Sequence, residues 1–242
     1  MTESVWKSWG ASVVGPMHIK NGTPNQDSWM SRQYKWGHVV VVSDGLGSKK
    51  HSDYGSKAAC LSVIEAAKLY RNSPQAKIED IFRFIHANWL VKISPYPPSE
   101  CSATCLFAIQ LADQLLIGRL GDGLIALHFD ENDESVLLED NKDVTFSNYT
   151  NCLADVFDCS EWESLVISSR NCRSILLCTD GIADDLLTDQ KSNFTREICR
   201  HYRLLDRAER SRDLRKCLRT WPVPGHTDDK TLACLHKVSN TR

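Results

Sequence analysis

Two stretches of the chain each carry an apolar run directly into an aspartate and a glycine. One is VVVVSDG, which ends at Gly45, and the other is ILLCTDG, which ends at Gly181. A carboxylate at the end of a buried strand is held rigidly, and the glycine lets the backbone turn sharply with its carbonyl accessible. Asp44 and Asp180 therefore suit a hard cation. For either copy alone, a simple Asp-Gly hairpin turn remains open.

Three more aspartates have comparable settings. Asp27 precedes an early strand, Asp122 separates two apolar strands, and Asp228 leads into the last strand. If these strands are neighbours, the carboxylates meet at one edge and each close pair repels by about 4 kcal/mol at 4 Å and an effective dielectric of 20. Divalent cations would relieve that repulsion. All-oxygen ligands without a His or Cys constellation favour magnesium or manganese over zinc, and no calcium-binding EF-hand loop is present in the sequence.

The elements that must position these residues alternate between sheet and helix patterns. Four helices are predicted at 52–70, 78–91, 194–202 and 206–218. Short extended patterns with turn residues between them favour antiparallel pairing and an α+β architecture of one domain. The predicted strands are 5–14, 28–33, 39–43, 103–110, 114–120, 124–129, 165–168, 174–179 and 231–236.

Composition limits the classes of function. The 242 residues are 42% hydrophobic and 25% charged with a net charge of −2, which is ordinary for a globular protein and gives no general attraction to nucleic acid or membranes. The N-terminus lacks a signal-peptide pattern and no segment has about 18 uninterrupted apolar residues, so a cytoplasmic protein is expected. The ten cysteines are expected to be reduced and mostly buried.

Six short motifs, in order along the chain, resemble those of the metal-dependent protein phosphatases of type 2C, in particular their short bacterial branch. The motifs are Asn25-Gln26-Asp27, Asp44-Gly45-Leu46-Gly47, Ser102-Ala103-Thr104, Gly121-Asp122-Gly123, Thr179-Asp180-Gly181 and Asp228-Asp229-Lys230-Thr231. Each motif is weak alone, whereas six in the same order over residues 25–231 form a specific pattern.

The resemblance implies a fold, a metal centre and an activity. The fold would be two packed antiparallel β-sheets flanked by α-helices. Asp44 would bridge two magnesium or manganese ions, the Gly45 carbonyl would bind one, Asp180 and Asp228 would hold the other, and Asp27 would act through bound water. Asp122 would help to hold a third, looser metal. The implied activity is hydrolysis of phosphoserine and phosphothreonine in proteins by a metal-activated water, opposing a serine/threonine kinase.

The chain departs from the family pattern at several positions. Gly22 stands where relatives carry a phosphate-clamping arginine, which leaves His18 and Lys20 as alternative phosphate contacts or as plain surface residues. Gln26 replaces an acid often found beside Asp27. Leu46 occupies the position of a histidine that protonates the leaving group in some relatives, while His51 follows a few residues later. Ser48 replaces a further glycine.

Other features leave alternatives open. The interval 141–162 is too short for the full flap that many relatives insert, so the flap subdomain is reduced or absent. The arginine-rich segment 196–219 is read either as solvated helix faces or as a docking surface for an acidic or phosphorylated partner. Gly22, in place of the arginine, and Gln26, in place of the acid, motivate the rival hypothesis of a catalytically weak or inactive module that binds a phosphoprotein or partner. A metal-dependent nuclease or phosphodiesterase is disfavoured by the net charge.

Overall fold

The computed structural model describes residues 4–130, 134–139 and 150–239, and within them the chain forms ten strands and six α-helices. The helices are α1 (Pro16–Asn21), α2 (Ser52–Asn72), α3 (Ile78–Ile93), α4 (Asp180–Ala183), α5 (Lys191–Tyr202) and α6 (Arg207–Arg219). Short 3-10 helices span Pro98–Glu100, Cys159–Glu161 and Thr188–Gln190. The strands are β1 (Ser4–Val13), β2 (Ser28–Tyr34), β3 (Gly37–Ser43), β4 (Cys105–Leu111), β5 (Gln114–Leu120), β6 (Leu124–Phe129), β7 (Ser135–Leu138), β8 (Glu163–Ser168), β9 (Cys172–Cys178) and β10 (Lys230–Ser239).

The strands form two antiparallel sheets of five. The first has the order β1-β10-β9-β6-β7 and the second β2-β3-β4-β5-β8. The second sheet is a near-continuous meander, whereas the first joins the two ends of the chain because β10 lies between β1 and β9. The site motifs of both chain ends are brought together by this closing strand.

The valine run of β3 explains why the sheets stack between helices. Val40 and Val42 belong to the core between the two sheets, while Val39 and Val41 belong to the core under α2 and α3. Successive side chains of a strand point to opposite faces, so a strand covered on both sides is apolar at every position. On the other side of the sandwich, α5 and α6 cover the outer face of the first sheet. The predicted α+β fold of two sheets flanked by helices is confirmed.

Three elements were not predicted, and each lacks a long buried face. No residue of α1 is buried, β7 has four residues of which only Leu138 is buried, and α4 is a single turn after Thr179. Hydrophobic periodicity reports burial, so short or exposed elements leave little signal. The cysteines all have free thiols, eight of them buried. No helix of the described ranges has the length and apolarity needed to cross a membrane.

Candidate metal centre

Strand register places the first two motif aspartates side by side. In the second sheet, Ser28 at the start of β2 pairs with Ser43 at the end of β3. Asp27 and Asp44 are the next residues outward on the two strands, so they leave the sheet at the same edge. Asp27 is 5% exposed, which makes it the most buried carboxylate of the predicted set.

The first sheet brings three other aspartates to its corresponding edge. Cys178 at the end of β9 pairs with Leu124 of β6 on one side and with Leu232 of β10 on the other. The turns beyond these residues carry Asp122, Asp180 and Asp228. One central strand end therefore aligns three motifs, of which the outermost aspartates, Asp122 and Asp228, are 106 residues apart in sequence.

A threonine hydroxyl joins the two sheets at this edge. Thr179 Oγ1 donates to Asp27 Oδ2 at 2.8 Å, and the Thr179 backbone amide donates to the Thr231 carbonyl at 3.0 Å. Thr179 is 1% exposed, so water does not compete for these bonds. Its role is to orient the Asp27 carboxylate.

Thr104 of the Ser-Ala-Thr motif fixes the backbone of Asp44 through two hydrogen bonds. The Asp44 amide donates to Thr104 Oγ1 at 2.9 Å, and the Thr104 amide donates to the Asp44 carbonyl at 2.8 Å. Gly45 then passes so close to its neighbours that a Cβ would lie 2.4 Å from the Ser52 carbonyl oxygen. The glycine is required by this close approach, which sets the direction of the turn that carries Asp44.

Asp229 connects the last motif to the first. This carboxylate is 2% exposed and accepts the backbone amides of Gly15 at 2.6 Å and Gln26 at 2.7 Å. His18 Nδ1 lies 2.9 Å from the same carboxylate. Sequence reasoning assigned no role to Asp229, although two backbone hydrogen bonds from distant segments make it the residue that positions the loop before Asp27.

Lys230 is a second functional position that sequence reasoning missed. It is 1% exposed, and its Nζ donates to the Gly181 carbonyl at 2.7 Å and lies 3.3 Å from Asp185 Oδ2. Asp185 in turn accepts the Trp221 indole N–H at 2.8 Å. The buried ammonium holds the peptide that follows Asp180. In the sequence, the only indication of this role is that Lys230 directly follows Asp228 and Asp229.

Burial and mutual repulsion change the protonation of the central carboxyls. Burial raises the pKa of Asp27 and of Asp180 from 3.8 to about 7. The pKa of Asp44 is raised well above its ordinary value, first by burial and then by the charges of Asp27 and Asp180. For Asp180 the charges of Asp122 and Asp228 add to burial. These interactions place the predicted carboxylates in one electrostatic cluster.

The donor chemistry of the cluster fits a hard divalent cation. In the described ranges, no three His, Cys, Asp or Glu side chains are arranged to hold a metal ion as they stand. Two observations nevertheless favour a cation here: the carboxyl pKa values are raised by burial and, after it, by neighbouring negative charges, and the Gln26 side-chain oxygen is buried without a hydrogen-bond partner. Oxygen ligands alone suit magnesium or manganese.

The other predicted residues lie in the outer, more exposed part of the acidic cluster. Asp180 and Asp228 line an open cleft of about 190 Å³, together with Gly181, His226 and Lys230. Asp228 is exposed and its Oδ1 accepts the Asp229 amide at 2.8 Å. Asp122 is half-buried and accepts the Thr150 hydroxyl at 2.8 Å. Asp122 acts on Asp180 and lies at the periphery of the carboxylate cluster rather than at its centre.

The positions that depart from the family pattern have distinct environments. Gly22 ends α1 at φ +67°, and a Cβ there would have no atom within 4 Å. Lys20 is exposed, and His18 faces Asp229 rather than the cleft that Asp180 and Asp228 line. His51 stacks on Tyr96 at 4.0 Å between ring centroids and lies 3.6 Å from Glu100.

Part of the predicted flap interval, 141–149, lies outside the described residues. The described part packs on the body of the fold: Leu153 is 1% exposed and pairs with Ala103, and Trp162 stacks on Phe82 at 4.4 Å between centroids. Residues 153–162 are thus tied to the second sheet and α3.

Comparison with known proteins gives a consistent assignment. The model of the family described as protein phosphatase 2C matches residues 14–219. The catalytic domain of the serine/threonine protein phosphatase PstP, solved with two manganese ions, is 18% identical with a TM-score of 0.62 and covers 98% of this chain and 100% of its own. A bacterial serine phosphatase is 15% identical with a TM-score of 0.63 and the same coverage. The serine-threonine phosphatase 2C of Toxoplasma gondii is 11% identical with a TM-score of 0.67, covering 98% and 96%. No curated protein matches the sequence.

Proposed function

Because this chain belongs to the protein phosphatase 2C family, we propose that it is a metal-dependent hydrolase of phosphoserine and phosphothreonine in proteins. The observation that carries the proposal is the convergence of Asp27, Asp44 and Asp180 in one electrostatic cluster at the joint edge of the two sheets. The two manganese ions of the PstP structure support the choice of cation.

The ligand set proposed for two magnesium or manganese ions is Asp44, the Gly45 carbonyl, Asp180 and Asp228, with Asp27 acting through water and Asp122 at a third, looser position. When bound, paired divalent cations lower the pKa of water and offset charge on the attacking and leaving oxygens of an in-line displacement. Because burial raises the pKa of Asp27 and of Asp180, cations would displace protons from these two residues on binding.

The chain's own residues prepare this site. Thr179 holds the Asp27 carboxylate, Thr104 holds the Asp44 backbone, and Lys230 holds the Gly181 carbonyl. Each of these bonds joins separate segments, so the acidic groups are oriented before any ligand arrives. Preorganised ligands of this kind are what a metal site needs to position a phosphoryl group.

The open cleft suits a protein-borne phosphate. Asp180 and Asp228 line a depression of about 190 Å³ that is continuous with solvent, rather than an enclosed cavity that would bury a small molecule. We place the chain as one catalytic domain over residues 1–242 with a reduced flap, acting in the cytoplasm on a phosphoprotein made by a serine/threonine kinase.

A catalytically weak or inactive module that binds a phosphoprotein is the second candidate. It is favoured by Gly22, since this position offers no side chain to clamp phosphate, while in α1 Lys20 is exposed and the His18 ring faces Asp229. The two candidates share the fold and the cleft, and they differ in turnover.

A metal-titrated assay on a phosphothreonine peptide separates the candidates. Wild-type protein should release phosphate with manganese or magnesium and not with EDTA, and Asp44→Asn should reduce the rate by at least about a hundredfold, because it removes one of the ligands on which electrostatic stabilisation depends. Asp53→Asn is the matched control: Asp53 is half-buried in the first turn of α2 and pairs with Lys57. Binding of the peptide without metal-dependent release would favour the module.

A further inference from the structure

A large basic cavity lies on the open side of the sandwich, where the edge strands β1 and β2 separate. Its volume is about 640 Å³, within the usual range for sites that bind small organic ligands. The walls come from β1, β2, the end of β10, the connection from α5 to α6, and α6 itself. His236 in its wall is six residues along β10 from Lys230, or roughly 20 Å at the usual strand rise, so the cavity is separate from the metal centre.

The charge of the walls is strongly positive. Five cationic residues line the cavity against one acid, and that acid, Asp206, is engaged by the amides of Ala208 and Glu209 as the N-cap of α6. None of the five cations forms an ion pair with a carboxylate in the described ranges. The cations are Lys7, Arg203, Arg207, Arg210 and Arg215.

Buried polar groups in these walls lack partners. Both ring nitrogens of His236 are buried without a hydrogen bond, and this residue is 2% exposed. The same holds for the indole N–H of Trp9 and for the Nε of Arg203 and of Arg210 within the part of the chain that the structure describes. Unsatisfied buried donors are rare in native proteins, and an anion is the ligand that satisfies several donors together.

The pKa values of the wall residues reflect burial first and the neighbouring positive charges second. Burial lowers the pKa of His236 to about 4, and the charge of Arg210 adds to the effect. Burial also lowers the pKa of Arg203, with Arg173 and Arg200 contributing. An anion placed among these groups would be stabilised by each of them.

The cavity also has an aromatic wall. Trp29 is half-buried, and its ring lies so close to Gly10 that a Cβ there would stand 2.8 Å from the indole. The glycine leaves room for the ring to lie along the cavity side of β1. A flat apolar group of a ligand can pack on such a surface, whereas inorganic phosphate cannot use it.

We propose that this cavity binds a small organic phosphate, with its phosphoryl group held by Arg203 and Arg210 and its organic part packed against Trp29. Several cations around one pocket match a dianion better than a single carboxylate, and arginine matches phosphate oxygens with paired N–H donors. The site is independent of the proposed hydrolysis.

Phenylphosphonate is a suitable probe because its phosphorus–carbon bond resists hydrolysis. We expect calorimetric titration of the full chain in EDTA to show one-site binding that is tighter than binding of inorganic phosphate. Arg210→Gln should weaken binding by about tenfold or more, the effect of losing a hydrogen bond to a charged group. The matched control is Arg212→Gln, which removes the same charge from an exposed position of α6 that does not line the cavity.

Further variants keep the test decisive. Arg203→Gln serves if Arg210→Gln does not fold, and Asp44→Asn should leave the affinity unchanged because the metal centre is not involved. The proposal is overturned if neither anion binds at millimolar concentration, if the Arg210 and Arg212 variants weaken binding equally, or if Asp44→Asn abolishes it. Equal affinity for phosphate and phenylphosphonate would overturn the aromatic contact with Trp29.

Discussion

Replacing Lys230 by methionine should destabilise the protein and disturb the metal centre together. The ammonium is 1% exposed, donates to the Gly181 carbonyl at 2.7 Å, and lies 3.3 Å from Asp185. Methionine keeps an unbranched side chain of similar length, so little packing volume is lost. The loss is therefore electrostatic: Asp185 is left without its countercharge and the Gly181 carbonyl without its donor.

The magnitude follows from the burial of the group. Removing one partner of a buried ion pair costs about 3–5 kcal/mol, because the other charge stays buried without compensation. For a chain of 242 residues this corresponds to a melting temperature lower by roughly 10 °C. Because Asp185 is less buried, with 21% of its side chain exposed, we expect the lower end of the range.

A double-mutant cycle tests the reasoning. Asp185→Asn keeps an oxygen for the Trp221 indole N–H, and in the Lys230→Met background it removes the uncompensated charge. The double variant should therefore be more stable than the sum of the single effects predicts, by about 1–3 kcal/mol. Urea denaturation at pH 7.5 with and without manganese measures all four proteins. Additive effects, or a loss below about 1 kcal/mol in Lys230→Met, would refute the assigned role.

Three further predictions concern protons, backbone space and the missing clamp. In EDTA, Asp27 with its pKa raised by burial to about 7 keeps its proton in the folded chain and loses it on unfolding, so the free energy of unfolding should fall by about 3 kcal/mol as pH rises from 4 to 7. Denaturation of wild type and Asp27→Asn across this window should show the difference, and a pH-independent difference would contradict it. Gly181→Ala should lower manganese affinity and melting temperature because the new Cβ would lie 2.0 Å from the Asp229 carbonyl oxygen, whereas Gly47→Ala, with its nearest neighbour at 3.7 Å, should melt like wild type. Gly22→Arg should lower KM for a phosphopeptide while costing about 1–2 kcal/mol at its left-handed backbone, and an unchanged KM would show that position 22 does not reach the phosphate.

The local design of the site was readable from residue order alone. Asp44 and Asp180 each follow a continuous apolar run and one Ser or Thr, and such runs predict strands covered on both faces. The structure places both residues at strand ends within one cluster of interacting carboxyls. The all-antiparallel pairing was also predictable, since turn residues separate strands that are too close in sequence for crossover helices.

The contacts that position the site, those of Asp229 and Lys230, could not be predicted from the sequence. Asp229 resembles a second acidic ligand in sequence, yet it accepts backbone amides from Gly15 and Gln26, at separations of 214 and 203 residues. Lys230 resembles a surface lysine, yet it is buried beneath Gly181. Neither role has a periodic or local signature, because each depends on which distant backbone group arrives beside the side chain.

The amino-acid order therefore established the alternation of strands and helices, the acidic strand ends and the preference for hard cations, because these follow from side-chain periodicity and ligand chemistry. The tertiary structure, in which β10 pairs between β1 and β9, determines which aspartates lie close together. It also determines that Asp229 accepts backbone amides instead, and where the basic cavity lies. Burial and hydrogen-bond partners depend on segments from both ends of the chain packing together, and their effect on pKa and on orientation exists only in the assembled fold.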